Sequence, residues 1–280
     1  MPNELINALC IDADDLSACI HESGRALRDR RYCVASETKS VLERLEDLEI
    51  KATFFIPGHF LSDEASLVRS ISEAGHEIAS HGNRHSPVGN LSRSEFLEDV
   101  SASKKSLEDL TGREVDVYKA PIWSITPECI WAYDLLLEAG FRVDHSATPR
   151  LNEYLGHPPA TPSPFLYAEE LVVIPATGAE ILGFTLPLRG GFYNAYTPIF
   201  LQNFVYDRIN GAGFPFNIYF HPYEHSPDEH NRKVFKYHSL WVSAYAAHVG
   251  RYHSILSRIA ARYRLGPLQR AYSRWLRRGP

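Results

Sequence analysis

Short apolar runs rich in β-branched and aromatic residues alternate with amphipathic stretches along most of this chain, and many of the runs end at polar or charged residues. The runs are INALCI (6–11), KATFFI (51–56), HEIAS (76–80), VDVYKAP (115–121), FRVDHSA (141–147), LVVIPAT (171–177), AEILGFTLP (179–187) and FPFNIYFHP (214–222). Between them, TKSVLERLEDLEI (38–50) sets Val41, Leu42, Leu45 and Leu48 on one helical face. Ser62 and Gly75 bracket a second helix, and Ser92 with Glu95 makes a capping box for a third that Gly112 ends. Thr126 and Pro127 start a fourth that Gly140 stops, and TPIFLQNFVYDRIN (197–210) is a fifth. The proline-rich stretch 147–166 reads as an irregular loop. Strands alternating with helices pair in parallel through right-handed crossovers. The pattern therefore predicts an α/β fold, a barrel or a doubly wound sheet, in one domain.

Composition agrees with a folded enzyme-sized body. The chain has 280 residues, 44% of them hydrophobic, enough for a large core. No run approaches the roughly 20 apolar residues that span a bilayer. The opening MPNELINALCIDADD lacks a basic segment before its short apolar run and predicts no secretory leader. Cys10, Cys19, Cys33 and Cys129 show no paired spacing and read as free thiols of a reducing cytoplasm. Charge is uneven: the first 229 residues hold 18 basic against 34 acidic groups, and the remainder hold eleven basic and no acidic ones. So acidic a body argues against nucleic acid as a partner. The sequence sets a body at 1–257 and a basic C-terminal helical tail at 258–280, with Leu268, Tyr272, Trp275 and Leu276 on one helical face. The plainer reading is a terminal helix packed on the body. The sharper one is an interfacial helix in peripheral contact with anionic lipid at the inner membrane surface. Oligomeric state is left open.

Polar residues collect at the ends of the strands: Asp12, Asp14 and Asp15 after the first, then His81 and His85, Lys119, Asp144 and His221. In parallel α/β folds the C-terminal strand ends share one face, where ligands gather. Two imidazoles four residues apart, on one helical turn, can face one point. With one carboxylate they make three protein ligands and an open position, the composition of a catalytic zinc-type site. A second carboxylate held off the metal can take a proton from the attacking water, and His221 can give one to the leaving group. Three carboxylates crowded at one strand end repel each other, so a cation among them is the economical account. These residues point to metal-assisted hydrolysis of an amide or ester.

KATFFIPG followed by EAGHEIASHGNRH, then YKAPIWSITP, FRVDHSATP and IYFHPYE, occur in this order between about Asn7 and Tyr223. In these motifs the chain resembles the polysaccharide deacetylases with a NodB-homology domain, above all the subgroup tied to bacterial exopolysaccharide loci. The resemblance implies a distorted (β/α) barrel with about seven parallel strands. It also implies a metal-dependent N-deacetylase acting on an aminosugar-containing polysaccharide, oligosaccharide or lipid-linked precursor. The cofactor it implies is a divalent metal, Zn2+ foremost, held by Asp14, His81 and His85, with Asp15 as the alternative to Asp14. Asp12 would be the general base and His221 the general acid, with Asp144 orienting or tuning His221. A backbone N–H near Trp123 would help hold the oxyanion. Trp123, Pro121 and Tyr223 would contact substrate, the two aromatics as a sugar-stacking wall.

Two positions depart from the family pattern. Lys119 stands where the family has an arginine that braces the base, and an ammonium keeps the charge but loses the planar fork. Asp14 stands where the subgroup commonly has glutamate, which shortens the ligand's reach. Lys119 leaves room for a formamide or cyclic-ureide hydrolase on the same fold. A protein of another class, a catalytically inactive glycan-binding or scaffolding protein, is the third reading.

Overall fold

The computed structural model describes residues 5–14, 34–181, 184–188, 190–225 and 251–276. Asp15, Cys19 and Cys33 lie outside the described residues, whereas Cys10 and Cys129 are buried free thiols. In chain order the elements begin with β1 (Ile6–Asp12), α1 (Val34–Asp47), β2 (Thr53–Ile56), α2 (Leu61–Glu73), β3 (Glu77–Ser80), α3 (Arg93–Thr111) and β4 (Val117–Tyr118). Then come α4 (Ala132–Glu138), β5 (Val143–Asp144), α5 (Pro149–Tyr154), β6 (Phe165–Tyr167), β7 (Leu171–Val173), β8 (Gly178–Ile181) and β9 (Phe184–Pro187). The last are α6 (Gly191–Tyr196), α7 (Ile199–Gly211), β10 (Asn217–Phe220), α8 (Pro222–His225), α9 (Tyr252–Arg262), β11 (Arg264–Gly266), α10 (Leu268–Ala271) and α11 (Ser273–Leu276).

The main sheet runs β10–β1–β2–β3–β4–β5–β7–β6. Its first seven strands pair in parallel, and β6 is an antiparallel edge on β7. From β1 to β5 the spatial order follows the chain with no reversal, so the sheet curls as a distorted (β/α) barrel and the doubly wound alternative is excluded. The ends of the curl meet through a side chain. The Asn217 side chain on β10 accepts from Thr177 N at 2.9 Å and donates to the Pro175 carbonyl at 2.8 Å, and its backbone N–H donates to the Thr177 hydroxyl oxygen at 2.7 Å.

Period-two alternation divides the core in two. Leu9, Ile11, Phe54 and Ile56 face outward under the helices, in one large cluster with Val41, Leu45, Val68 and Phe96. Ala8, Cys10, Phe55, Ala79, Val117 and Val143 face inward, and Leu268, Ala271 and Tyr272 pack into the same cluster. The small inward residues leave space that the C-terminal segment fills. β11 pairs with residues 6–8 of β1, Leu268 N donates to Thr53 Oγ1 at 2.7 Å, and Asn217 Nδ2 donates to the Tyr272 hydroxyl at 2.9 Å.

Three expectations change. The basic tail is a strand and two single-turn helices, since Pro267 interrupts the helical period. A boundary at 257/258 would cut through α9, and of the expected apolar face Leu268 and Tyr272 are buried inside the barrel while Trp275 and Leu276 are half-buried. The stretch 147–166 contains α5, capped by Thr148, and β6; Pro149, which suggested a loop, is at the first helical position. AEILGFTLP is a two-stranded antiparallel unit, β8 with β9, outside the barrel sheet.

Candidate metal and catalytic site

Each strand delivers its polar residue to the same mouth. Asp12 ends β1 and Asp14 follows two residues on; His81 follows β3, with its N–H on the Ile56 carbonyl at 3.0 Å; Lys119 follows β4; His221 follows β10. Ligand atoms of Asp14, His81 and His85, all buried, lie within 4.8 Å of one another. His85 Nε2 is 3.0 Å from Asp14 Oδ2, and the two imidazole centroids are 4.9 Å apart. His81 Nδ1 lies 2.7 Å from the Lys119 carbonyl, which can only accept, so Nδ1 carries the proton and Nε2 is left for the site.

The two histidines converge through a loop and not a helical turn. Gly82 (φ +73°) and His85 (φ +53°) are left-handed. Asp99 on α3 accepts from Asn83 N at 2.7 Å and Arg84 N at 3.0 Å, and a Cβ on Gly82 would sit 2.9 Å from the same carboxylate. From the other side, Gly58 N and His59 N donate to the Gly82 and Asn83 carbonyls at 2.8 Å. The left-handed His85 costs about 1–2 kcal/mol, which these bonds offset.

Two buried oxygens, Asp12 Oδ1 and Asp14 Oδ1, have no hydrogen-bond partner among the described residues. Buried carboxylate oxygens without donors are costly. Beside two imidazoles with ring nitrogens toward the same point, Asp14 Oδ1 fits a divalent cation. Burial alone would raise the Asp14 carboxyl, but charge on His221 and the bond from His85 hold it well below the usual carboxylate range. Burial pushes His81 down to about 4, so it is neutral, as a metal ligand must be.

Asp12 and His221 are each tied to a side chain of opposite sign. Lys119 Nζ donates to Asp12 Oδ2. His221 Nδ1 is 3.1 Å from Glu224 Oε2, its backbone N–H donates to the same oxygen at 2.6 Å, and its Nε2 is 3.6 Å from Asp14 Oδ1. Burial works against the charged imidazole, but Asp14 and Glu224 outweigh it and lift His221 to about 9. Gly191, at φ +51°, leaves room for Glu224: a Cβ there would meet Oε1 at 2.9 Å.

Several expected roles move. Asp144 does not orient His221. Its carboxylate accepts from Tyr133 at 3.0 Å and from the Ser146 N–H and hydroxyl at 2.8 and 2.6 Å, and Ser146 Oγ accepts Ala120 N at 2.8 Å. Asp144 thus braces the segment after Lys119. Burial raises it to about 6, against the pull of those bonds. The Trp123 and Ser124 N–H groups are spent on Ala120 and Pro121 carbonyls at 3.1 Å, so they do not face an oxyanion. Tyr223 is 1% exposed and stacks flat on His221, with centroids 4.9 Å apart. Trp123 is 9% exposed and packs on His145 and Tyr219, while Pro121 is also buried. These aromatics steady the site residues, and the exposed apolar side chain of that turn is Ile122 at 48%. Glu224 and Asp99 went unread in the sequence. Glu224, three residues after His221 at the start of α8, has the spacing of a capping glutamate and could have been found that way.

Fold and donor set define a (β/α)-barrel protein with a candidate mononuclear metal site at its mouth. Residues 29–138 match the family model described as polysaccharide deacetylase, and residues 145–270 match that of a domain of unknown function, DUF3473. The site draws on both matches, since His81, His85 and Lys119 lie in the first and His221 in the second, with Asp12 and Asp14 ahead of both. The Helicobacter pylori peptidoglycan deacetylase is 36% identical over 111 residues, 38% of this chain and 35% of that protein. The Bacillus subtilis peptidoglycan-N-acetylmuramic acid deacetylase PdaA is 26% identical over 84 residues, 30% of this chain and 32% of that protein. The matches thus span about a third of these relatives. A solved structure from Mycobacterium smegmatis, assigned provisionally as a polysaccharide deacetylase, shares the fold with a TM-score of 0.59 and 16% identity, over 95% of this chain and 87% of that one.

Proposed function

We propose that this protein is a metal-dependent hydrolase that removes N-acetyl groups from an aminosugar-containing glycan. The observation that carries the reading is the division of labour at the mouth: Asp14, His81 and His85 converge, while Asp12 on Lys119 and His221 on Glu224 stand beside them. A divalent cation held by Asp14, His81 and His85, with Zn2+ favoured by the nitrogen and oxygen donors, would supply Lewis acidity toward the acetyl carbonyl and the attacking water. Asp12 keeps Oδ2 on Lys119, and Oδ1 receives the water's proton. His221, held protonated by Glu224, gives a proton to the departing amine. The products are acetate and the free aminosugar, and the two proton transfers balance. The named relatives, both deacetylases of peptidoglycan, support the substrate class. Within that class the substrate we propose is an exopolysaccharide-type glycan, on the chain's resemblance to the subgroup tied to exopolysaccharide loci.

Acetate release from N-acetylhexosamine oligomers tests this directly, beside formamide hydrolysis and ring opening of small cyclic ureides on the same metal-loaded protein. Acetate release with inert ureides and formamides is the expected result. Turnover of only the small amides would replace the deacetylase with the alternative hydrolase, and no turnover at all would favour a glycan-binding role.

A further inference from the structure

The Lys119 ammonium is 1% exposed and carries three N–H donors, yet among the described residues its one hydrogen-bonding partner is Asp12 Oδ2. Leaving two donors of a buried cation without acceptors is expensive unless something else meets the charge. Three aromatic rings do: Nζ lies 3.9 Å from the Tyr219 centroid, 4.4 Å from that of Trp123 and 5.3 Å from that of Phe55. All three distances fall inside the range of cation–π attraction, which is strongest where water is excluded.

We propose that Phe55, Trp123 and Tyr219 form an aromatic cage for the Lys119 ammonium, with Tyr219 and Trp123 as positioning residues that allow a lysine to brace Asp12. The rings come from three separate elements, β2, the turn after β4, and β10, and each is held in place. Ile122 and Trp123 take up successive left-handed conformations, φ +48° and +59°, costly for non-glycine residues, and these bring the indole over Nζ. The Tyr219 carbonyl accepts from the Tyr252 hydroxyl at 3.2 Å, and its backbone pairs with Gly190, where any Cβ would overlap that carbonyl. His145, with Nδ1 2.9 Å from the Ile174 carbonyl, packs on both Phe55 and Trp123 from behind.

The cage gives the lysine a function that an arginine fork would not serve here. A guanidinium tends to claim both oxygens of a carboxylate. The caged ammonium takes Oδ2 alone and leaves Asp12 Oδ1 buried and unclaimed, the oxygen that acts as base in the proposed reaction. Lysine at 119 is therefore matched to its surroundings and is no sign of a decayed site. This rests on the deacetylase reading only for the base role; the cage itself does not.

The test combines a substrate-free signal with turnover. Ring currents from three rings shift the Lys119 ε-methylene NMR resonance far upfield, and the signal is assigned by its loss in Lys119→Arg. In Tyr219→Leu the shift should collapse and kcat for acetate release should fall roughly 10- to 30-fold with KM unchanged, the loss expected for a desolvated cation–π contact. Tyr219→Phe should restore both, since the ring and not the hydroxyl matters. Trp123→Leu against Trp123→Phe repeats the comparison if Tyr219→Leu does not fold. A Lys119 ε resonance at its ordinary position, or Tyr219→Leu with wild-type kcat, overturns the proposal. Equal impairment in the Leu and Phe variants overturns it too. If the upfield signal is present and follows the ring variants while no glycan is turned over, the cage stands and the deacetylase reading falls.

Discussion

At the scale of single residues, the positions of Asp12, Asp14, His81, His85, Lys119 and His221 could be read from the sequence because strand ends of a parallel barrel share one face. Their partners could not. Asp144 and Glu224 are both carboxylates near strand ends, and nothing in one-dimensional order says that Glu224 meets His221 while Asp144 turns to Tyr133 and Ser146. That difference can be measured. The raised His221 pKa, about 9 against 6.5 unperturbed, makes its contribution to stability complete below 6.5 and lost as pH rises through about 9. Activity that needs the protonated imidazole should also fall as pH rises, and at lower pH than in the metal-free protein, because a cation on Asp14 offsets the largest of the raising charges. Glu224→Gln removes one of the three carboxylates, Asp14, Glu224 and Asp12, that raise the His221 pKa, so the basic limb of the kcat/KM profile should move to lower pH. Asp144→Asn should leave that limb in place. A basic limb unmoved in Glu224→Gln would remove Glu224 from this role.

At the scale of elements, the sequence suggested a helical turn between His81 and His85 from their spacing alone. The chain instead makes a loop that Gly82 permits and Asp99 holds, because the carboxylate on α3 satisfies two consecutive N–H groups. Spacing predicts that two residues can meet, but the scaffold that brings them together depends on an element beginning eight residues after His85. Asp99→Ala should therefore weaken metal binding by about 10- to 100-fold, as loss of a supporting contact commonly does. It should also destabilise the fold by roughly 1–3 kcal/mol through the orphaned N–H groups. Metal titration and denaturant unfolding check both, and unchanged metal affinity would show that the loop holds its shape without Asp99. The helix caps, by contrast, were plain: Ser92 with Glu95 forms its box and Gly112 ends α3 in the left-handed conformation, because capping is local chemistry.

At the scale of the whole molecule, strand alternation sufficed for a parallel α/β fold but left a barrel and a doubly wound sheet open; the family resemblance implied the barrel, and the seven-strand run from β10 to β7 agrees with it. What alternation could not show is where the last residues go. The inward faces of β1 and β3 carry Ala8, Cys10 and Ala79, too small to fill the barrel, and Leu268 and Tyr272 supply the missing volume. A short terminal strand and isolated turns leave little periodic signal, so the sequence reads as one terminal helix packed on the body and does not show a fit that depends on volume complementarity. Leu268→Ala should cost about 2–5 kcal/mol, the range for an emptied core site, and lower the thermal midpoint of the entire barrel. A midpoint unchanged by that substitution would mean that the segment is peripheral.

The most direct test of the account is the metal content of three purified proteins after loading with Zn2+ and removal of excess, measured together with acetate release. Wild type and Asp12→Asn should each hold about one ion per chain, as a mononuclear site requires, with turnover abolished in Asp12→Asn. His81→Ala should lose both ion and turnover. An His81→Ala protein that retains its ion, or an Asp12→Asn protein of near-normal rate, would contradict the assignment of ligand and base on which the whole reading stands.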